Sequence, residues 1–178
     1  SILLPGLVAK TVGLMNTGSL TRKRDRWYLP LYRWALARMD VVVYGSEQQR
    51  AMWVRPGSPG WSRSRVIHNG VQLARFDPQQ MRVDGHRLRR DIGIGSGCLV
   101  IGSVGNFGPV KNQVELIEAL ADIRSTISDC HLILAGDGPS RDLLEQRVNA
   151  LQLGGQVSFL GSVADVRPAL GAMDIFVL

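Results

Sequence analysis

Cys98–Ala121 reads CLVIGSVGNFGPVKNQVELIEALA. Its apolar run Leu99-Val100-Ile101 is too short for a helix of its own and is closed by Gly102, which predicts a strand over Leu99–Val104. The loop Gly105-Asn106-Phe107-Gly108-Pro109-Val110-Lys111 is rich in residues that punctuate structure. Asn112 stands at an N-cap position with Glu115 three places on, an Asn-started capping box. Leu116, Ile117, Leu120 and Ala121 then recur at helical spacing, so an amphipathic helix follows over 112–124. Strand, glycine loop and capped helix make an anion site, because orphan N–H groups and the positive dipole end point into the loop.

Lys111 bears on that site. A cation just ahead of a helix N-terminus meets the wrong end of the dipole, which costs about 0.3–1 kcal/mol. Lysine statistics alone make it a solvated surface residue. The glycines and the cap beside it favour the other reading, in which Lys111 and the helix end hold one phosphate group together.

The surrounding text is α/β in pattern. From Leu99 onward strands and helices alternate: helix 112–124, Leu132–Ala135, helix 139–152, Val157–Leu160, a short helix near 165–172, and Ile175–Leu178. Such a βαβαβαβ run implies a parallel sheet. Upstream, Leu7–Leu14 reads as a buried strand ended by the turn Asn16-Thr17-Gly18-Ser19. Tyr28–Met39 reads as a helix with Leu31, Ala35 and Met39 on one face, and Val41–Tyr44 as a strand buried on both faces. Ser46 caps a short helix through about Val54, Arg55–Ser64 is a loop, and Arg65–Ile67 is a brief strand. Gln72–Pro78 has no periodicity and marks a domain boundary, before a moderately helical, Arg-rich Gln79–Asp91.

Composition narrows the classes. At 178 residues the chain holds one sizeable domain or parts of two, and its 20 glycines suit a loop-rich α/β protein. The net charge of +6 owes much to Arg22-Lys23-Arg24, Arg26, Arg33 and Arg38. A basic balance invites nucleic acid, an anionic membrane surface or a polyphosphate substrate. No RNP-like strand, zinc-finger spacing or basic zipper is present, so nucleic acid is set aside. No apolar run is long enough to span a bilayer, and Ser1–Pro5 lacks the basic start and the length expected of a signal peptide. Ser1 is not an initiator, so the chain is expected to be a piece of something longer. Cys98 and Cys130 make no metal spacing and are expected to be reduced.

Ligands of open parallel sheets bind beyond the carboxyl ends of the strands. Three strand ends carry suitable loops: Gly105–Lys111, Gly136-Asp137-Gly138-Pro139 with Pro139 suited to the first helical position, and Phe159-Leu160-Gly161-Ser162-Val163. The second taken alone fits an ordinary strand-to-helix turn equally well. The third offers backbone groups to a planar base.

Together, in order and spacing, these segments resemble the group 1 retaining glycosyltransferases, the glycogen-synthase-like and mannosyltransferase-like enzymes of the GT-B fold. Arg65-Val66-Ile67-His68-Asn69-Gly70-Val71 with Arg75-Phe76-Asp77-Pro78 resembles their "VIPNGVD…RF-P" passage. Gly102–Lys111 resembles "VGRL-PEKG", Leu134–Pro139 resembles "AGDGP", Val157–Gly161 resembles "V-FLG", and Asp174–Leu178 resembles "DVFVLPS" cut before its Pro-Ser. Met15-Asn16-Thr17-Gly18 and Val41–Glu47 resemble the last part of the family's N-terminal domain, so the likeness covers nearly all of the chain.

The resemblance implies parts of two Rossmann-like domains with parallel sheets: 1–72 from the acceptor side, 73–178 from the donor side. It implies transfer of a sugar from a nucleotide-diphosphate sugar to a carbohydrate or lipid-linked acceptor with retention of configuration, in polysaccharide or glycolipid assembly. No cofactor beyond the donor and no metal is expected. Lys111, Asn106 and Gly105 would meet the donor diphosphate. Gly136, Asp137, Gly138, Phe159, Gly161 and Val163 would line the nucleotide pocket. Asn69 and Gly70 would form the interdomain turn, and Met15 and Asn16 the acceptor-side cleft. A cytoplasmic protein is implied, with a weak contact between Arg22-Lys23-Arg24 and an anionic inner membrane face as a further reading beside a solvated loop.

Three departures matter. The family usually has Arg where Asn106 stands, and a neutral amide in place of that cation removes about 1–2 kcal/mol of donor binding. It often carries His at Met15, which cannot hydrogen-bond a sugar hydroxyl usefully. Its acidic E-x7-E segment is expected beyond Leu178 and its N-terminal glycine loop before Ser1, so no catalytic residue is assigned and the chain alone is expected to be inactive. His68, His86 and His131 have no Ser, Cys or Asp partner at useful spacing, which argues against a triad. Two rival readings stay open: a nucleotide-sugar 2-epimerase on the same architecture, and a non-catalytic nucleotide-sugar-binding module.

Overall fold

The computed structural model describes residues 10–15 and 27–178. The expected turn at 16–19, with Asn16, and the basic Arg22-Lys23-Arg24 lie outside the described residues. The chain divides into two compact units, Ser1–Val71 and Gln72–Leu178.

The first unit holds a parallel sheet in the order β1-β2-β3: β1 (Val12–Met15), β2 (Val41–Tyr44) and β3 (Ser64–Val66). On β2, Val42 and Tyr44 are buried while their neighbours are half-buried. β1 departs from expectation: it starts at Val12, and Val12 and Leu14 are 69% and 66% exposed. Only Gly13 is buried in it, because Met39, just after helix α1 (Leu29–Ala37), lies where a Gly13 side chain would stand, with Leu36 of the helix in contact beside it. The expected inward face of α1 holds at Ala35 and Met39, both half-buried, and fails at Leu31. Leu29 and Leu36 are half-buried and Leu31 is exposed.

Ser46 caps α2 (Glu47–Trp53) as expected, its Oγ accepting the Gln49 N–H at 3.1 Å. The stretch expected as loop, Arg55–Ser64, contains a one-turn helix, α3 (Pro59–Ser62), and Ser64 already belongs to β3. Pro59 presets its first turn, and Trp61 lies 3.5 Å under the Arg50 guanidinium, a contact no local pattern announces.

The second unit is a four-stranded parallel sheet in the order β6-β5-β4-β7, formed by β4 (Leu99–Val104), β5 (Cys130–Ala135), β6 (Val157–Gly161) and β7 (Ile175–Phe176). β5 alternates: Cys130, Leu132 and Leu134 join a cluster with Ile117, Leu120, Leu144 and Val148 of α5 (Gln113–Ile123) and α6 (Arg141–Ala150). Ile133 joins Ile94, Val100 and Ala172 in a second cluster. Burying each such aliphatic side chain contributes about 1.5–3 kcal/mol.

α4 (Pro78–Asp91) crosses α7 (Arg167–Gly171) at glycine: a Cβ on Gly85 would fall on the Gly171 backbone, and one on Gly171 on the Met81 carbonyl. Near that crossing the buried Arg89 donates to the Ala172 carbonyl (2.8 Å), the Cys98 carbonyl (3.3 Å) and the Asp174 carboxylate (2.7 Å). Asp174 also accepts the Val100 N–H at 2.8 Å, so one ion pair ties α4 to β4 and β7. Gln72–Pro78, expected to be without structure, contains a 3-10 turn at Leu73–Arg75, whose Arg75 carbonyl accepts from Arg167 at 3.0 Å.

Candidate functional site

The loops after β4, β5 and β6 meet at the carboxyl edge of the second unit's sheet. The Gly105 N–H donates to the Ala135 carbonyl at 2.9 Å, and the Gly136 N–H to the Gly161 carbonyl at 2.8 Å. The Phe107 N–H donates to the Asp137 carbonyl (2.9 Å), and the Ser140 N–H returns to the Phe107 carbonyl (3.1 Å). Glycine makes this closure feasible. At Gly136 (φ +146°) a Cβ would sit on the Gly105 carbonyl oxygen; at Gly138 it would sit on Asn106 Oδ1 and the Phe107 carbonyl. Beneath them Phe107 is buried and meets the edge of Phe159, ring centroids 6.1 Å apart at 75°.

Lys111 is exposed and has no ion pair among the described residues. Its stem lies beside the first glycine, since a Cβ on Gly105 would stand 3.8 Å from Lys111 Cε. Asn106 is exposed too, its carbonyl accepting Gln113 Nε2 at 3.3 Å. The Asn112 capping box does not form. Asn112 takes the left-handed conformation (φ 47°, ψ 43°) and makes no side-chain cap, because a capping oxygen reaches the N2 or N3 amide only from extended backbone. Its carbonyl accepts the Glu115 N–H at 3.1 Å instead. The first turn of α5 is therefore left without a side-chain cap.

Pro139 is not the first helical residue. It belongs to a turn, and α6 begins at Arg141 after Ser140, held there by the Ser140–Phe107 bond. The Asp137 carboxylate accepts the Gly138 N–H at 2.8 Å and so shapes its own turn. Gly161, at φ +69°, takes up the register shift between β5 and β6; Val163 follows it, half-buried.

The Phe159 side chain packs against the core and under Arg141, whose guanidinium carbon lies 5.0 Å from the ring centroid. Arg141 and Gln113 were missed from sequence. The i,i+4 pair of Arg141 with Glu145 (2.6 Å) was a readable signal; the buried Gln113 gave none.

In the first unit, Met15 and Asn69 line a cavity of about 250 Å³ with Leu14, Gly45, Gln49 and Ile67, at the carboxyl ends of its strands. Gln49 Oε1 accepts the Gly45 N–H at 2.6 Å, and His68 Nδ1 lies 3.1 Å from the Gly45 carbonyl. Asn69 and Gly70 lie in exposed coil at the end of this unit.

His131 Nε2 lies 2.9 Å from Ser158 Oγ, and burial holds its pKa below the usual histidine range. Cys98 and Cys130 are free and buried; burial first, then Asp129, pushes the Cys98 thiol up to about 11, leaving it protonated and inert as a nucleophile. Among the described residues no group of three or more His, Cys, Asp or Glu could hold a metal ion, and no helix is long and apolar enough to cross a membrane.

The model of the family "Glycosyl transferases group 1" matches residues 85–178. A lipopolysaccharide core biosynthesis glycosyltransferase, LpsE of Rhizobium meliloti (strain 1021), is 35% identical over 120 residues, 67% of this chain and 32% of that protein. The GDP-mannose-dependent alpha-(1-6)-phosphatidylinositol monomannoside mannosyltransferase of Mycolicibacterium smegmatis (strain ATCC 700084 / mc(2)155) is 31% identical over 157 residues, 84% of this chain and 40% of that protein. The chain thus spans between about a third and two fifths of these relatives.

Among solved structures, Anabaena Alr3699/HepE in complex with UDP and glucose superposes with a TM-score of 0.73 at 24% identity, over 93% of this chain and 45% of that one. WaaG, a glycosyltransferase involved in lipopolysaccharide biosynthesis, gives 0.75 at 18% identity over 93% and 49%. The fold is α/β of the GT-B type, with parallel sheets.

Proposed function

The chain belongs to the group 1 glycosyl transferases, and from that membership we propose that it serves transfer of a sugar from a nucleotide-diphosphate donor, with the second unit seating the donor. The observation that carries this reading is the closure of three strand-end loops over buried Phe107, with Lys111 and the side-chain-uncapped first turn of α5 at their border. Each element suits a diphosphate. Glycine backbones let phosphate oxygens approach, first-turn amides donate to them, and the lysine supplies full charge.

Lys111 meets the leaving diphosphate, where negative charge grows as the glycosidic bond breaks. Gly105 and Asn106 border it; Gly136, Asp137 and Gly138 line the nucleotide with Phe159 to Val163 beside the base, and the Met15 cavity faces the acceptor. A GDP-mannose-dependent relative and a neighbour holding UDP support a nucleotide donor and leave the base open. Relatives of lipopolysaccharide and phosphatidylinositol mannoside assembly favour a glycolipid or polysaccharide acceptor, and retention of configuration completes the reading.

Titration calorimetry with UDP-, GDP- and ADP-sugars tests it. Saturable binding of one of them, displaced by its nucleoside diphosphate and unchanged by EDTA, is the expected result. No binding of any refutes the donor site, and loss with EDTA refutes the metal-free seat. With the full-length protein and acceptor supplied, product of the donor's own anomeric configuration supports retention and an inverted product refutes it. Release of a free 2-epimer without acceptor transfers the assignment to an isomerase.

A further inference from the structure

Gln113 opens α5 and is only 3% exposed. A carboxamide is seldom buried unless something holds it, because a polar group taken out of water must recover its hydrogen bonds within the protein. Gln113 Nε2 donates to the Asn106 carbonyl at 3.3 Å, and that carbonyl accepts from no other group among the described residues. The same peptide carries the Phe107 N–H, which donates to the Asp137 carbonyl at 2.9 Å. One peptide plane is thus held at both edges, by a helix side chain and by the backbone of the next strand-end loop. Any rotation of that plane carries Gly105 and Asn106 with it.

The chain reaches Gln113 through a bend. The Lys111 and Asn112 N–H groups both donate to the Gly108 carbonyl, at 3.0 and 3.3 Å. Asn112 is left-handed, a conformation that few residues other than glycine take. The residues on either side of it reach neighbouring points of the same loop. Lys111 Cε stands beside Gly105, and the Gln113 amide meets Asn106. Asn106 to Gln113 is therefore a loop clasped at its ends by one side-chain bond, and Lys111 rides on it.

We propose that Gln113 is a positioning residue for the diphosphate seat: its amide fixes the Asn106–Phe107 peptide and so holds Gly105 and Lys111 toward the phosphates before the ligand arrives. This role rests on the donor reading of the second unit and adds to it a residue that does not itself touch the ligand. A loop already held leaves less conformational freedom to be lost on binding. The effect is confined to the phosphate end, because the loop after β6 is held separately, through the Gly136 N–H on the Gly161 carbonyl.

The test is titration calorimetry of the full-length protein with UDP, GDP and ADP, and with the nucleoside of whichever diphosphate binds. Gln113→Met keeps the length and volume of the side chain and removes its N–H, whereas Gln113→His returns a ring N–H at similar reach. Gln113→Met, folded by circular dichroism, loses about 5- to 10-fold in diphosphate affinity and keeps nucleoside affinity within about twofold of the parent. Gln113→His restores diphosphate affinity to within about threefold of the parent. Should Gln113→Met not fold, Gln113→Glu, of the same shape but without a donor when ionised, carries the same expectation. Unchanged diphosphate affinity in the donor-less variant, an equal loss for the nucleoside, or an equal loss in Gln113→His overturns the proposal. Failure of both donor-less variants to fold does so too, because Gln113 then serves the core. Lys111→Ala in the same assay separates two failures. Its loss of affinity beside an unaffected Gln113→Met removes the positioning role alone; a parent that binds none of the three diphosphates removes the donor reading and this role with it.

Discussion

Replacing Lys111 with alanine separates the phosphate seat from the rest of the fold. Lys111 is exposed and without an ion pair among the described residues, so its loss leaves unfolding free energy within about 0.5 kcal/mol of the parent. Binding is another matter. Two unit charges about 4 Å apart attract by about 1 kcal/mol in bulk water and about 4 kcal/mol at an effective dielectric near 20. A diphosphate resting on the amides of the loop and of α5 lies between those limits, and hydrogen bonds to charged groups fall at about 1.5–3 kcal/mol. The expected loss is therefore about 10- to 150-fold in nucleoside-diphosphate affinity, with nucleoside affinity unchanged. Calorimetric titration of both ligands at two salt concentrations measures it, and the variant's affinity should fall less with added salt than the parent's. Equal diphosphate affinity in variant and parent, or an equal loss for the nucleoside, refutes a phosphate role for this lysine.

Gly136→Ala drives a Cβ onto the Gly105 carbonyl at φ +146°; overpacking and backbone strain together should cost about 2–5 kcal/mol in urea unfolding and abolish diphosphate binding. Gly85→Ala pushes α4 against the Gly171 backbone and should cost about 1–3 kcal/mol, while the fraction still folded binds diphosphate like the parent. Asp174→Asn weakens the tie to Arg89 and should cost about 1–3 kcal/mol, less than a fully buried pair because the Asp174 side chain is 44% exposed. Burial pushes the Asp174 carboxyl up, but the Val100 N–H and Arg89 outweigh it and hold the pKa below 3.8. Its contribution is thus complete above pH 3.8 and lost as pH falls through the lowered value, so parent and variant stabilities should converge in that acid range.

The sequence alone determined the elements of the second unit and their alternation. Apolar runs such as Leu132–Ala135 and the Leu116, Ile117, Leu120 spacing are local patterns, and a chain obeys them wherever burial on one face is available. The three loops with glycines were legible for the same reason: Gly and Pro punctuate the backbone without reference to anything distant.

What needed the tertiary structure was every property set by a neighbour far along the chain. Gly136 is glycine because the Gly105 carbonyl occupies the space of its Cβ, 31 residues away in sequence. Asn112 sits in a left-handed conformation in which its side chain leaves the helix uncapped, although its identity suited a cap. Leu31 faces water although its spacing suited a core, because Leu29 and Leu36 took the inward side of α1. Periodicity says that a helix has an apolar side; only the packing of the other elements says which side is covered and which is left exposed.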